Sequence, residues 1–308
     1  MKLRLNLVRL SGLFIFFSLF TLVSCEKESS QNGTNEQQEA EASRVSGEAD
    51  ATAEGVFNNL FDDVLGANDD VGVSGTGIHY GRGDTLSPTP RCFTVTITHP
   101  NNTPFPVIIT VDFGNTGCLG PDGHVRKGKV ITHYTARLIQ PGAVATTTFD
   151  NYYVDDVKVE ADFLKITNTS TGSTTPPANL ARKFKIEVQN AKLTWPNGNY
   201  IKWNSTKNIA QLAGMATVNP LDDVYQITGS ATGQTLRNNL LVAWQSTITE
   251  PLIKRFTCRW IVKGKIRTAR LASTVNASQI AVLDFGNGIC DNLAFLTING
   301  QTTQITLP

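Results

Sequence analysis

Asp112 and Asp284 each stand six residues before a cysteine, Cys118 and Cys290, in two segments that echo one another, Val111-Asp112-Phe113-Gly114-Asn115 and Leu283-Asp284-Phe285-Gly286-Asn287. Two chemistries could use this pattern. Carboxylates beside turn carbonyls are hard oxygen ligands, so either Asp could serve a calcium-type cation site. The same residues work as punctuation, because an Asp at a strand end bonds the amides of the next turn while Gly and Asn accept positive φ. The sequence favours the turn, with no metal and no cofactor expected. A kinase-type magnesium site would need a catalytic loop and a nucleotide fold that are absent. Each segment also has an upstream cysteine, Cys92 or Cys258. Four cysteines allow three pairings. An equivalent bond in each copy selects Cys92 with Cys118 and Cys258 with Cys290, each closing a loop worth about 3 kcal/mol on the chain-entropy argument.

Other reactive-looking patterns resolve into structure. Gly123-His124-Val125-Arg126-Lys127-Gly128-Lys129 has the spacing of a phosphate loop, but Val130 stands where a Ser or Thr must reach magnesium. It reads as a basic hairpin. His79, His99, His124 and His133 lack metal-ligand spacing, and no nucleophile elbow is present. Asp155-Asp156 and Asp222-Asp223 are adjacent pairs that a strand would point to opposite faces, so neither makes a glycosidase dyad and both read as turn residues. Tyr152, Tyr153, Trp195, Tyr200, Trp203, Trp244 and Trp260 lie in or beside strand segments. Most should be core, and any exposed ring would suit a sugar. No catalytic residue is identified. The enzyme question stays open, with binding favoured.

Cys25 is the fifth cysteine and belongs to a different pattern. Lys2, Arg4 and Arg9 precede an apolar run of 11 residues, 13 to 23, which ends in Leu22-Val23-Ser24-Cys25. The run is far shorter than the roughly 20 residues of a membrane-spanning helix, so it reads as a cleaved signal. The tetrapeptide resembles the bacterial lipobox. That resemblance implies cleavage after residue 24 and acylation of the Cys25 sulfur, with two or three chains giving a stable membrane anchor. Export would also permit the disulfides.

The elements that position these residues follow from composition. Residues 26–55 have almost nothing to bury and read as an acidic flexible tether. From Val56 to Leu65 the apolar residues fall on one helical face, which predicts a short helix ended by Gly66 and the Gly-rich link to residue 76. Beyond it, Phe93–Thr98, Val130–Tyr134, Val157–Glu160 and Phe184–Val188 alternate with period two, and turn formers such as Pro196-Asn197-Gly198 and Asn299-Gly300 separate the runs. About fourteen such runs predict an all-β domain over 77–308, an antiparallel meander or Greek-key sandwich, built as one unit or as two packed units split near 205. Residues 26–76 hold 2 basic and 12 acidic side chains, a net of −10, whereas 77–308 hold 22 and 14, a net of +8. A basic domain could attract an anionic partner, or its own tether. It lacks the interleaved Arg and aromatic residues of a nucleic-acid reader, so no nucleic acid is expected.

Val56 to Leu65, the paired Asp-Phe-Gly-Asn segments, Asp122 to Lys129, Phe149-Asp150-Asn151-Tyr152-Tyr153 and Phe256-Thr257-Cys258-Arg259-Trp260 together resemble uncharacterised envelope lipoproteins of Bacteroidota. The resemblance implies an envelope β-protein on the outer membrane and carries no activity. Glu26-Lys27-Glu28 resembles the surface-export signals of such lipoproteins, which would place the domain outside the cell. The expected function is a lipid-anchored envelope protein that binds or scaffolds a glycan or an envelope protein. An envelope glycan hydrolase or other secreted enzyme is the alternative, and a periplasm-facing structural lipoprotein is a third.

Overall fold

The computed structural model describes residues 28–72 (side chains from 36 to 64), 92–120, 123–171, 181–216, 222–271 and 280–307. It consists of one helix, α1 (Glu28–Gly72), and a mostly antiparallel β-structure. The first strands are β1 (Thr94–Thr98), β2 (Val107–Asp112), β3 (Cys118–Leu119), β4 (Val125–Tyr134) and β5 (Val144–Val154). Next come β6 (Val157–Glu160), β7 (Phe163–Asn168), β8 (Lys183–Thr194), β9 (Tyr200–Ala213) and β10 (Val224–Arg237). The chain ends in β11 (Leu240–Arg255), β12 (Ile261–Arg270), β13 (Ile280–Asn287), β14 (Leu293–Ile298) and β15 (Gln301–Thr306). All join one sheet in almost sequential order, with β3 beside β4, while β6 and β7 occupy successive parts of the gap between β5 and β8. This is a meander, the topology that short turns impose.

The alternation read from the sequence sorts the two faces. Along β9, Ile201, Trp203, Ser205, Lys207, Ile209 and Gln211 are buried, while Lys202, Asn204, Thr206 and Asn208 face outward. The inward row contains Ser, Lys and Gln as well as apolar residues, and α1 explains why. The helix touches β9 through β14, reaches β4 through the Tyr134 hydroxyl donating to the Val64 carbonyl at 2.8 Å, and reaches β8 through Phe61 against Phe184. From Ala42 to Val64 no residue is exposed. The sheet therefore forms a trough with α1 lying in it.

A helix so poor in large apolar side chains can be buried for two reasons. Ala42, Ser43, Ser46, Gly47, Ala49, Ala51 and Ala53 are small, so the strands approach closely; a Cβ on Gly47 would fall 2.9 Å from Leu296. Its carboxylates also meet donors on the strands. Glu39 pairs with Arg270, and Glu48 pairs with Arg237 at 2.5 Å. Asp50 accepts both the Trp203 and the Trp244 indole N–H at 3.0 Å. Glu54 pairs with Lys207 at 2.6 Å and Asp62 with Lys254 at 3.0 Å. Buried polar groups so partnered avoid the cost of about 1–3 kcal/mol that each orphaned group would carry.

Three expectations are corrected. Residues 28–55 are part of α1 and not a flexible tether, and the short helix expected at 56–65 is the later part of the same element, running through Gly66 to Gly72. Low hydrophobicity misled because the partners that make burial tolerable lie on distant strands. Nor is there a division near 205. Ser205 sits in the middle of β9, registered with Val188 on β8 and Ala231 on β10.

A chain truncated to 77–308 lacks the filling of the trough. Measured by near-ultraviolet circular dichroism and thermal melting, it should show no cooperative transition, whereas a chain beginning at residue 26 should melt cooperatively.

Candidate functional site

Cys25 lies outside the described residues. The other sequence candidates are placed as follows. Cys92 is bonded to Cys118 and Cys258 to Cys290, the pairs that the echo selects. Asp112 Oδ1 accepts the Gly114 N–H at 2.9 Å and Asp284 Oδ1 accepts the Gly286 N–H at 2.9 Å. Their second oxygens face lysines on the neighbouring strand, Lys129 at 3.5 Å and Lys265 at 3.7 Å. The two echo segments are thus the same Asp turn opposite a Lys. An ammonium stands on the free side of each carboxylate, and among the described residues no three His, Cys, Asp or Glu side chains group to hold a metal.

The phosphate-loop lookalike runs from the turn of the β3–β4 hairpin into β4, and a Cβ on its Gly128 would collide with the Asn151 carbonyl oxygen at 1.9 Å. His124 bonds Asp155, whose other oxygen accepts the Val125 N–H at 2.9 Å, and Asp156 pairs with Lys127 at 2.8 Å. Both of these acids have positive φ in the turn between β5 and β6. Asp223 differs from its neighbour. It is buried and accepts the Tyr225 hydroxyl at 2.5 Å, the Gln211 amide at 2.5 Å and the Arg182 guanidinium at 3.2 Å. Burial pushes its carboxyl up to about 6, against the pull of these donors. The Tyr225 ring packs edge-on against Phe61 and Phe184, so this hub fastens the strands beside α1.

The aromatic candidates divide by face. Tyr152, Trp203 and Trp244 are core. Trp195 and Tyr200 are half-buried and flank the tight turn at Pro196-Asn197-Gly198, where Trp195 N–H donates to the Asn199 carbonyl at 2.9 Å. They border a cleft of about 470 Å³ between α1, the β8–β9 hairpin, the end of β10 and β15. Val45, Glu48, Ala49 and Thr52 supply the helix wall, and Ile305, Thr306 and Leu307 the opposite one. Glu48 is held between Arg44 at 2.6 Å and Arg237 at 2.5 Å. The ammonium groups of Lys192 and Lys202 each lie 5.6 Å from the Tyr200 ring centre, so the outer side of that ring is cationic. The cleft is thus bordered by two aromatic residues, by Asn199 and Thr235, whose side chains bond Asn238 and the Tyr200 carbonyl, by Thr306 and by the Glu48–Arg237 ion pair.

Sequence reasoning did not find Glu48, Asp50, Glu54 or Lys207. The signal available was the stripe Asp50, Glu54, Asn58 and Asp62, each four residues from the last, together with the opposite charges of the two segments. Comparison with family models, with curated proteins and with solved structures gives no match.

Asp223 generates a pH dependence of defined sign. Its folded pKa of about 6 exceeds the ordinary 3.8, so the folded state holds the proton more tightly. The stability this group contributes is full below pH of about 4 and is lost as pH rises through about 6. In denaturant titrations, the stability of the native sequence relative to Asp223→Asn should fall across that window and then level off; a difference that stays flat would refute the assignment.

Proposed function

We propose that this chain is a lipid-tethered protein of the cell envelope that binds a glycan in the cleft between α1, the β8–β9 hairpin and β15. The observation that carries the reading is the pair of half-buried rings, Trp195 and Tyr200, at a concavity otherwise lined by small polar and aliphatic groups and the Glu48–Arg237 ion pair. Its volume of about 470 Å³ falls within the about 300–1,000 Å³ range of small-molecule sites. Aromatic faces suit the C–H face of a sugar ring, and an exposed side chain such as that of Thr306 suits its hydroxyls. Hydrolysis of a glycoside calls for two carboxyl groups across the bond. The cleft has Glu48 alone, already held by Arg44 and Arg237, which favours holding a ligand over cutting it.

The tether rests on the basic N-terminus, the short apolar run and the lipobox-like Leu22-Val23-Ser24-Cys25. Attachment through Cys25 would place the lipid three positions before the start of α1, so the anchor and the filling of the trough would be one continuous stretch of chain. The resemblance to Bacteroidota envelope lipoproteins supports the outer membrane as its address. A nucleic-acid partner is disfavoured because Arg237, Lys207, Lys254 and Arg270 are engaged by the acids of α1.

Two measurements test this. In calorimetric titration against a glycan panel, Trp195→Ala and Tyr200→Ala should each weaken binding about tenfold, about 1.4 kcal/mol, while leaving the melting temperature within a degree or two of the parent. A panel that never binds, or binding indifferent to both changes, would remove the cleft from consideration. Cys25→Ser should move the protein in its native host from the detergent phase to the aqueous phase.

A further inference from the structure

Where the acidic stripe of α1 meets β9, an amine, a carboxylate and a carboxamide stand in a row. Lys207 donates from Nζ to Glu54 Oε2 at 2.6 Å. The other oxygen of the same carboxylate, Oε1, accepts from Asn58 Nδ2 at 3.0 Å. The side chains of Lys207 and Glu54 keep 6% and 3% of their exposure, and Asn58 is 8% exposed. The surroundings are aromatic. Phe57 stacks on Trp203 with ring centres 5.4 Å apart, and the Lys207 ammonium lies 5.8 Å from that indole. Gly229 makes the room: at φ +138° its missing Cβ would sit 2.2 Å from the Thr206 carbonyl oxygen and 3.2 Å from Lys207 Cδ. On the helix side, a cavity of about 20 Å³ borders Glu54 and Asn58, enough for one molecule the size of water or ammonia.

Charge balance needs only Lys207 and Glu54. The added carboxamide turns the pair into a reactive set, because one carboxylate now touches both the nitrogen that could attack and the nitrogen that could leave. Reacting groups that a rigid frame brings within about 3–3.5 Å of one another react as if at very high concentration, about 10⁵ M or more in well-oriented cases. A buried carboxylate that relays protons is the remaining requirement.

We propose that Lys207 and Asn58 become joined by an intramolecular amide bond, promoted by Glu54, that fastens α1 covalently to β9. Glu54 takes one proton from the Lys207 ammonium, and the freed lone pair attacks Asn58 Cγ to form the Nζ–Cγ bond. Glu54 then hands its proton to Nδ2 and takes the surplus proton from Nζ. The Cγ–Nδ2 bond breaks with its electron pair on nitrogen, and ammonia leaves by way of the small cavity. The proton remaining on Glu54 departs with it as ammonium. An ammonium and a carboxamide thus become a secondary amide and an ammonium ion, with charge conserved, Glu54 restored and no oxidant or cofactor consumed. The bond would hold the helix in its trough when the chain is heated or when its anchored end is pulled.

The test is the intact mass of the folded chain beginning at residue 26, with disulfides reduced, followed by a protease map. The expected mass is one ammonia below that of the sequence, and the map should contain a branched peptide joining Asn58 to Lys207. Glu54→Gln, which keeps the shape and removes the relay, should restore the full mass. A cooperatively folded parent protein that keeps its full mass after prolonged incubation overturns the proposal. So does ammonia loss without the branched peptide, which would mean a cyclised asparagine, and so does a branch at any other residue. A folded Glu54→Gln protein that still carries the branch would overturn the relay. The parent measurement decides the bond by itself, so the test survives if that variant fails to fold.

Discussion

One oxygen of Asp50 holds the centre of this molecule. It accepts two indole N–H groups at 3.0 Å, from Trp203 on β9 and Trp244 on β11. Between those strands runs β10, and its Gly233 is registered with both tryptophans. A Cβ at Gly233 would fall 2.2 Å from the Trp244 ring, so the absence of a side chain there lets the indoles converge over β10 onto the helix. Three strands and α1 are thereby fixed at one point. Burial pushes the Asp50 carboxyl up, while Lys207 and the two indoles draw it back down. Either protonation state leaves an oxygen that can accept, and losing the side chain would orphan two buried donors, about 1–3 kcal/mol each.

The remaining polar contacts extend this arrangement along the helix. Glu39, Glu48, Glu54 and Asp62 meet Arg270, Arg237, Lys207 and Lys254 in turn. Two of these pairs, Glu54 with Lys207 and Asp62 with Lys254, are buried; such pairs add little net stability against apolar replacements, but breaking one is expensive, about 3–5 kcal/mol. Such contacts therefore serve to choose a register. Sliding α1 by one residue would swing every side chain by about a quarter turn, separating the whole series at once. The stripe Asp50, Glu54, Asn58 and Asp62 thus specifies how the helix lies, while Phe57, Leu60, Phe61 and Val64 supply the apolar burial that an ionic stripe cannot.

What could be read from the sequence was local, and what escaped was not. Period-two runs and the Pro196-Asn197-Gly198 turn announced strands because each signal is contained in a few residues. The echo announced the cysteine pairing because both copies repeat the same Asp turn and loop closure. The helix before Val56 gave no comparable sign: its partners Trp203 and Lys207 lie 153 positions from Asp50 and Glu54. Taken alone, residues 26–55 have too little apolar surface to fold. The four-residue stripe from Asp50 to Asp62 and the opposite net charges of the two segments carried the information, and a charge balance says that segments attract without saying that one lies inside the other. The same distance hid the cleft. Trp195 and Tyr200 could be named as rings, but their separation from the core tryptophans depends on a helix and a final strand that meet them from the two ends of the sequence.

The cleft and the trough are consequently one construction. Its helix wall, Val45, Glu48, Ala49 and Thr52, is the stretch of α1 on either side of Asp50, and its ion pair between Glu48 and Arg237 belongs to the same series that sets the helix register. Any ligand in that cleft touches the helix directly, and any shift of the helix along the trough reshapes the cleft. Rigid placement of α1 is therefore a condition for a preformed site, since a site is only as precise as the shell behind it. The polar character of the helix follows from that condition. An apolar helix would fill the trough equally well but could settle at several heights, whereas one lined with carboxylates at fixed intervals has a single position in which every charge is answered.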